Sequence, residues 1–150
     1  MILNEFFIKI INLNKSILIC CVFLNSLAYA SNDKIKLREI YNKNLSFSSK
    51  ALDLQGKNVR IYGFMAPPLK AESQFFVLTK MPMSVCPFCE SDADWPDDIV
   101  VVYTEEKLRA VPFNVPIIAE GILDLGGYKD EETGFYSRVR LLKSDFEKYN

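Results

Sequence analysis

The stretch NVRIYGF, residues 58–64, decides the fold class because its apolar side chains recur at every second position. Val59 and Ile61 alternate with Arg60, and side chains two residues apart lie on the same face of a β-strand. Gly63 interrupts the strand, as glycine does where a strand bends or bulges. The stretch therefore predicts a bent β-strand with one buried face.

Four later segments are also rich in β-branched and aromatic residues, which favour strands. The second of them is apolar on both faces, which predicts a central position in the sheet. The four predicted strands are 75–79, 99–103, 117–125 and 135–142.

Helical spacing is confined to short segments. Residues 42–55 are polar and are predicted as a connection. Three helices are predicted: one that begins at Asn32 or Asp33 and carries Leu37, Ile40 and Tyr41, one over 105–110 that Thr104 caps, and a tail helix over 145–149.

The elements after the N-terminal helix follow in the order β-β-β-α-β-β. This is the order of an OB-fold, a five-stranded Greek-key barrel with a short helix between strands 3 and 4. Another small β-barrel or a β-sandwich is the alternative. Either way the predicted class is all-β with minor α, and the predicted core positions are Val59, Ile61, Val77, Val101, Ile118, Ile122, Val139 and Leu141.

The first 30 residues have the pattern of a secretory signal peptide. Two lysines precede an apolar run over 16–24, which is shorter than the roughly 20 residues that cross a bilayer. An Ala-x-Ala sequence ends at Ala30, which is typical of signal-peptidase sites. We therefore predict a signal peptide over 1–30, one domain over 31–150 and export to a bacterial periplasm. An uncleaved membrane anchor is the alternative.

The chain has 18 basic and 19 acidic side chains and no histidine. No basic run stands out, which predicts no affinity for nucleic acid, because binding to phosphates depends on clustered positive charge. The lack of histidine excludes catalytic triads and histidine-based acid–base catalysis. The composition therefore favours a binding or accessory module over an enzyme, and we predict no catalytic residues.

The segment 81–98 contains Cys86 and Cys89, the two cysteines that remain after the predicted cleavage. A disulfide between them closes a very small ring, to which the chain-entropy model assigns about 2 kcal/mol. In an oxidising compartment this pairing is the expected state. Its role would be to fix the shape of the loop, because so small a ring stabilises the fold only weakly.

Two other functions remain open for the same pair. Cys-x-x-Cys is the spacing of thiol-disulfide oxidoreductases, although the acidic neighbours oppose the low thiol pKa that this chemistry needs. A soft-metal site for Zn or Cu is the other, since thiolates, thioethers and carboxylates bind such ions. Its predicted ligands are Cys86, Cys89, Met81, Met83, Asp92 and Asp94.

Phe88 and Trp95 are candidate binding residues in the same segment. Either ring can stack on a planar ligand, as OB-folds use their exposed surfaces to bind ligands. Covering the end of the barrel is the simpler role for Trp95.

Several of these segments together resemble an uncharacterised family of exported bacterial proteins, commonly described only as domains of unknown function. The family pattern is G-K-x-V-x-I-x-G-aromatic-x-x-P, then a strand, a cysteine in a loop and another strand. It matches residues 56–67, 75–78, Cys86 and 100–102, and the likeness extends over 45–125.

Some members of that family are associated with ABC-type export systems, including systems linked to transition metals. The resemblance therefore implies export, and an inner-membrane ABC-type transporter or a periplasmic accessory protein as partner. The family places a histidine just after its cysteine, where this chain has Phe88 and Cys89.

Overall fold

The computed structural model describes residues 33–67, 74–84, 95–106 and 108–149. Within them the chain is mostly β, with six strands in one mixed sheet and two short helices. The all-β class predicted from the sequence is confirmed. The strands are β1 Asp33–Lys34, β2 Asn58–Met65, β3 Phe75–Thr79, β4 Ile99–Thr104, β5 Pro116–Lys129 and β6 Tyr136–Lys148; the helices are a 3-10 helix, Leu37–Glu39, and α1, Ser49–Leu54.

Strand β2 pairs with three of the other five strands. The strands are ordered β1-β2-β3-β4-β6-β5, and β5 also pairs with β2. That pairing is antiparallel from Asn58 to Phe64, whereas β2 pairs with β3 only at Phe64 and Met65. Strand β1 runs parallel to β2, and β4 runs parallel to β6. The succession of paired strands therefore starts from β2 and returns to it through β5.

In β2 the buried side chains are the ones that the sequence alternation predicts. In some other strands they are not. Val59, Ile61, Val139 and Leu141 belong to the main cluster of buried side chains. In β5 the buried positions are shifted by one residue from the predicted ones. Ile117, Ala119 and Leu123 are buried, while the predicted Ile118 and Ile122 are half-buried on the other face.

In β3 and β4 the main cluster contains Phe76, Leu78, Val100 and Val102 instead of Val77 and Val101. Val77 and its cross-strand partner Val101 are buried on the opposite face. Val77 packs there in a second cluster with Ala66 and Ile99, which Trp95 and Phe135 cover. When both faces of a strand are covered, hydrophobicity no longer reveals which residues point inward.

The predicted N-terminal helix is wrong. Residues Asp33–Lys34 form β1, and only Leu37–Glu39 turns as a 3-10 helix. The α-helix lies later, at Ser49–Leu54, within the stretch predicted as a polar connection. The Ser48 hydroxyl oxygen caps it by accepting a hydrogen bond from the Ala51 N–H at 3.1 Å. Burial of Ala51 and Leu54 against the core stabilises so short a helix.

The two other predicted helices are also wrong. Residues 105, 106 and 108–110 are not helical, and the Thr104 hydroxyl bonds the Gln74 and Glu106 carbonyls instead of capping a helix. In place of the predicted tail helix over 145–149, residues 145–148 are the end of β6, which pairs with the first residues of β5. Cross-strand pairing outweighs helix propensity in a segment this short.

The long strand β6 bends near Lys143, whose φ is 51°. Its pairing with β5 shifts register between Glu120 and Ile122, and its pairing with β4 shifts close by. Gly121 lies against Ser144 at this bend, where a Cβ would clash. The bend lets β6 pair with both neighbours over a long distance. Among the described residues no helix has the length and apolar character needed to cross a membrane.

A bend or close approach at Gly63 can be tested by placing the same side chain at two positions of β2. A Cβ at Gly63 would lie 2.6 Å from the Thr79 carbonyl oxygen and 2.9 Å from Leu78 Cγ. We expect Gly63→Val to lower the free energy of unfolding by at least about 2 kcal/mol, as overpacking does.

Asn58→Val is the control, because Asn58 loses only its hydrogen bond to Glu120 while valine favours a strand; its expected effect is below about 1 kcal/mol. Urea unfolding of both variants measures the difference. Equal losses would contradict the close approach.

Candidate functional site

An open groove of about 660 Å³ runs beside β2. Its floor is apolar and is made by Ile35, Leu37 and Ile118. Its wall is made by Tyr62, Tyr149 and Met81. We call it the basic-rimmed groove because its rim carries six cationic side chains and one carboxylate: Lys34, Lys36, Arg38, Lys50, Arg60 and Lys80, with Glu39.

The groove exists because part of one edge of β2 has no strand beside it among the described residues. Strand β1 pairs only with Val59 and Arg60, and β3 begins to pair only at Phe64. The Arg60 carbonyl accepts a hydrogen bond from the Ile35 N–H on this side. Backbone groups two residues apart on a strand point to the same side, so the N–H and C=O of Tyr62 point into the gap.

The aromatic wall is ordered by edge-to-face contacts. The Tyr62 ring lies 5.1 Å from Tyr149 at 84° and 5.9 Å from Phe64 at 77°. The Tyr149 N–H donates to the Pro116 carbonyl at 3.0 Å, which holds the end of the chain against β5. Even so, Tyr62 is 46 % and Tyr149 54 % exposed. Apolar ring surface of this extent is available for contact with a ligand.

Two of the six rim cations are neutralised within the described part of the chain. Lys50 Nζ lies 2.7 Å from a carboxylate oxygen of Glu39, and Arg60 pairs with Glu147 and Glu120. The hydrogen bond from Lys50 and the one from the Lys36 N–H lower the pKa of Glu39, so this carboxylate stays ionised.

The other four cations, Lys34, Lys36, Arg38 and Lys80, form no ion pair with any described residue. All four are exposed. The groove therefore presents positive charge that the described residues do not balance, next to apolar surface.

Other charged clusters in the described residues have structural roles. Arg140 is buried, donates to Asp124 and to the Gly126 carbonyl, and lies 5.1 Å from the centre of the Tyr128 ring. These contacts hold the irregular pairing of β5 and β6 at Gly126.

The Tyr103 hydroxyl donates to Asp130 at 3.1 Å. Burial and the nearby Asp130 charge raise the pKa of Tyr103 well above its usual range, so the hydroxyl keeps its proton. Burial acts to raise the pKa of Asp130, but hydrogen bonds from Thr133 and Tyr103 outweigh it and lower that pKa. The hydrogen bond between Tyr103 and Asp130 holds the β5–β6 turn. Because Tyr103 stays protonated and Asp130 stays ionised near neutral pH, the pair is not suited to acid–base catalysis there.

Most site residues predicted from the sequence lie outside the described residues; they are Cys86, Phe88, Cys89, Asp92 and Asp94. Of the predicted metal ligands, Met81 is 60 % exposed at the groove, and Met83 is half-buried outside it. No group of three cysteine or carboxylate side chains suited to a metal ion occurs within the described ranges.

Trp95 packs against the second cluster of the sheet. Its ring lies 6.5 Å from Phe135 at 75°, and it covers Val77 and Ile99. Its indole N–H and the Tyr41 hydroxyl are buried and form no well-aligned hydrogen bond with a described residue. Burial raises the pKa of Tyr41, while the Arg138 guanidinium acts in the opposite direction, and Trp95 is near enough to act to lower this pKa as well.

The basic-rimmed groove was not predicted from the sequence. Its cations come from distant segments, and only the fold brings Lys80 close to Lys34. One signal was present: from Lys34 to Arg38, basic and apolar residues alternate. That alternation fits an extended segment with one face buried and one face charged.

Comparison with known proteins gives a likeness of fold. No model of a protein family matches the sequence, and no curated protein matches it. Among solved structures, a DUF3299 family protein from Pseudomonas aeruginosa PAO1 is similar, with a TM-score of 0.53 and 13 % identity over 80 % of this chain and 97 % of that chain. The structural neighbour is thus a protein of an uncharacterised family. At this identity the likeness shows the fold alone.

The role of Trp95 as a cover for the sheet can be tested by truncation. We expect Trp95→Ala to lower the free energy of unfolding by about 3 kcal/mol, because it uncovers Val77 and Ile99. Trp95→Phe keeps a ring and should cost about 1 kcal/mol. Denaturant unfolding followed by circular dichroism measures both.

Tyr62→Ala is the control, since its exposed ring covers none of the second cluster. An unchanged melting temperature for Trp95→Ala would show that the indole does not hold the sheet and would favour a ligand-stacking role.

Proposed function

We propose that the protein is an exported binding or accessory protein whose ligand site is the basic-rimmed groove. One observation carries the proposal: an apolar floor and an exposed aromatic wall lie under a rim on which four of the six cations form no ion pair with a described residue. Ligand sites combine mostly apolar lining with a few polar groups that orient the ligand.

We further propose that the sheet is a barrel of the OB type. The antiparallel pairing of β5 with β2 and the parallel pairing of β4 with β6 support this. They match a five-stranded Greek-key barrel in which β2 is the first strand and β1 is an addition. OB-type barrels host many binding functions, so the groove and not the fold carries the functional proposal.

Export rests on the sequence pattern of residues 1–30. The first described strand begins at Asp33, so cleavage after Ala30 would leave every described element intact. Transport to the periplasm also fits the resemblance to exported proteins, and an ABC-type transporter or one of its periplasmic accessory proteins is the proposed partner.

The cysteine segment is proposed to act next to the groove. Lys80 and Met81 line the groove, and Cys86 follows Met81 by five residues. An extended chain covers at most about 3.6 Å per residue, so the five-residue stretch from Met81 to Cys86 has a maximum length of roughly 18 Å. The Lys80 N–H also donates to the Asp98 carbonyl at 3.2 Å, which joins the two ends of this segment.

In our proposal Cys86 and Cys89 form a disulfide that shapes this segment. A soft-metal carrier of Zn or Cu is the second candidate, and the exposure of Met81 favours it, because a thioether at the surface can bind Cu(I). A thiol-disulfide redox protein is the third.

The groove as a ligand site can be tested with a neutral apolar dye. We expect N-phenylnaphthylamine to become fluorescent on binding the folded protein, because Ile118 and the aromatic wall shield it from water. Tyr62→Ala and Tyr149→Ala should each weaken binding about fivefold, the effect of losing one aromatic contact of about 1 kcal/mol.

Tyr136→Ala is the matched control, since Tyr136 is 52 % exposed but does not line the groove. If the three variants bind the dye equally, or if the parent protein does not bind it, the groove is not the ligand site.

The state of the cysteines can be tested on protein extracted from a periplasm. We expect a mass that corresponds to cleavage after Ala30 with one internal disulfide, and no free thiol before reduction. Reduction should leave the protein folded, because the ring contributes only about 2 kcal/mol. Circular dichroism during thermal unfolding, with and without reductant, measures this.

If the reduced protein binds stoichiometric Zn²⁺ or Cu(I), and Cys86→Ser abolishes this binding, the protein is a metal carrier and the structural-disulfide proposal is wrong. Rapid exchange with a model thiol, together with a thiol pKa well below the free value of about 8.5, would favour the redox function.

A further inference from the structure

The charges around the basic-rimmed groove are arranged asymmetrically. Lys34, Lys36 and Arg38 are exposed, while Ile35 and Leu37 between them are buried. The cations of this segment therefore lie on one side of the groove. Lys80, from the end of β3, also lines the groove. None of these four cations is paired with a described carboxylate.

The outer face of β2, β5 and β6 next to the groove carries the opposite charge. Glu120, Asp145 and Glu147 line a neighbouring depression there, together with Arg60 and Lys143. Arg60 is already paired with Glu120 and Glu147. Lys143 is the one cation of this depression without an ion pair among the described residues, so the three carboxylates outnumber the two cations and a ligand that extends from the groove onto this face meets net negative charge.

The Tyr62 backbone adds a polar contact between these two regions. Its N–H points into the gap beside β2, where no described strand pairs with it. This N–H can donate a hydrogen bond to an acceptor oxygen of a ligand that lies in the groove. Beyond it, the ring faces of Tyr62 and Tyr149 offer apolar contact, and each ring ends in a polar hydroxyl.

We propose that the groove binds an amphipathic organic acid, with its anionic head among the unpaired cations and its apolar body on Ile118, Tyr62 and Tyr149. This inference rests on the proposed function, in which the groove is the ligand site. Charge complementarity selects an anion, and the apolar floor selects a body that water does not solvate well. The neighbouring carboxylates limit the negative charge to one end of the ligand.

A single-stranded nucleic acid fits these features less well. Such polymers need a positive track that follows several phosphates. Here the positive region is followed by Glu120 and Glu147, and the whole chain has a net charge of −1. A compact ligand with one charged end avoids this repulsion.

Two dyes with the same ring system test the proposal. Anilinonaphthalene sulfonate carries an anionic group, and N-phenylnaphthylamine is its neutral counterpart. Titrated into the protein isolated from a periplasmic extract, the sulfonate should bind about tenfold more tightly than the amine at low salt, as expected when two or three exposed ion pairs form. Added salt should weaken the sulfonate only, because salt screens the exposed charges.

Charge variants then locate the anionic head. Lys34→Gln combined with Lys80→Gln should lower the affinity for the sulfonate about tenfold and leave the affinity for the amine unchanged. Glu39→Gln should raise the affinity for the sulfonate, because it removes the carboxylate at the groove and releases Lys50. Lys57→Gln combined with Lys129→Gln is the matched control, since neither residue lines the groove; each variant is first shown to keep the parent's melting temperature.

The outcomes separate this inference from the proposed function. If both dyes bind equally well, with no effect of salt or of the Lys34 and Lys80 changes, the ligand is a neutral apolar molecule and the anion proposal is wrong while the groove remains the site. If neither dye binds, the proposed function itself fails. If an oligothymidylate displaces the sulfonate at lower concentration than dodecanoate does, the anion is a nucleic acid and the proposal is overturned.

Discussion

The antiparallel pairing of β2 with β5 is the constraint on which the rest of the structure depends. Seven residues of β2, from Asn58 to Phe64, have partners in β5. This pairing uses one edge of β2 and leaves the other to be divided between β1 and β3. Gly63 makes the division possible, because it lets the Thr79 backbone approach to a distance that a Cβ would block. The gap between β1 and β3, and with it the groove, follows from this use of a single strand.

The groove combines features that stability alone does not favour. Exposed aromatic rings, and cations that no described carboxylate pairs with, contribute little to folding when they lie near one another, and like charges repel. The same chain neutralises its charges where they serve the fold, as Arg140 shows by its bonds to Asp124 and Gly126. Local departures from the pattern that stabilises the rest of a protein are expected where a ligand binds. The groove differs by this contrast, more than by its size, from the depression that Glu120, Asp145 and Glu147 line.

The sequence predicts strands better than it predicts which way their side chains point. The alternation in β2 gave its buried face correctly, since Val59 and Ile61 are in the core. In β5, isoleucines occupy successive positions, so Ile117 and Ile118 compete for the same inward position and only the register with β2 decides. The N-terminal helix was predicted wrongly because Leu37 and Ile40 have helical spacing but belong to a single 3-10 turn, which Ile40 ends. The groove could be predicted only in part, because its cations meet through pairing between segments that are distant in sequence.

The loop with the two cysteines also depends on the sheet. Its two ends are held together by the hydrogen bond from the Lys80 N–H to the Asp98 carbonyl. At the first end, the Thr79 hydroxyl donates to the Met81 carbonyl at 2.7 Å. Trp95 anchors the far end to the second cluster. A disulfide between Cys86 and Cys89 closes so small a ring that it removes little chain entropy from the unfolded state. The pair is therefore suited to setting the local shape of a segment whose first residues line the groove, so that oxidation, reduction or metal binding at Cys86 and Cys89 would act on ligand binding more than on folding.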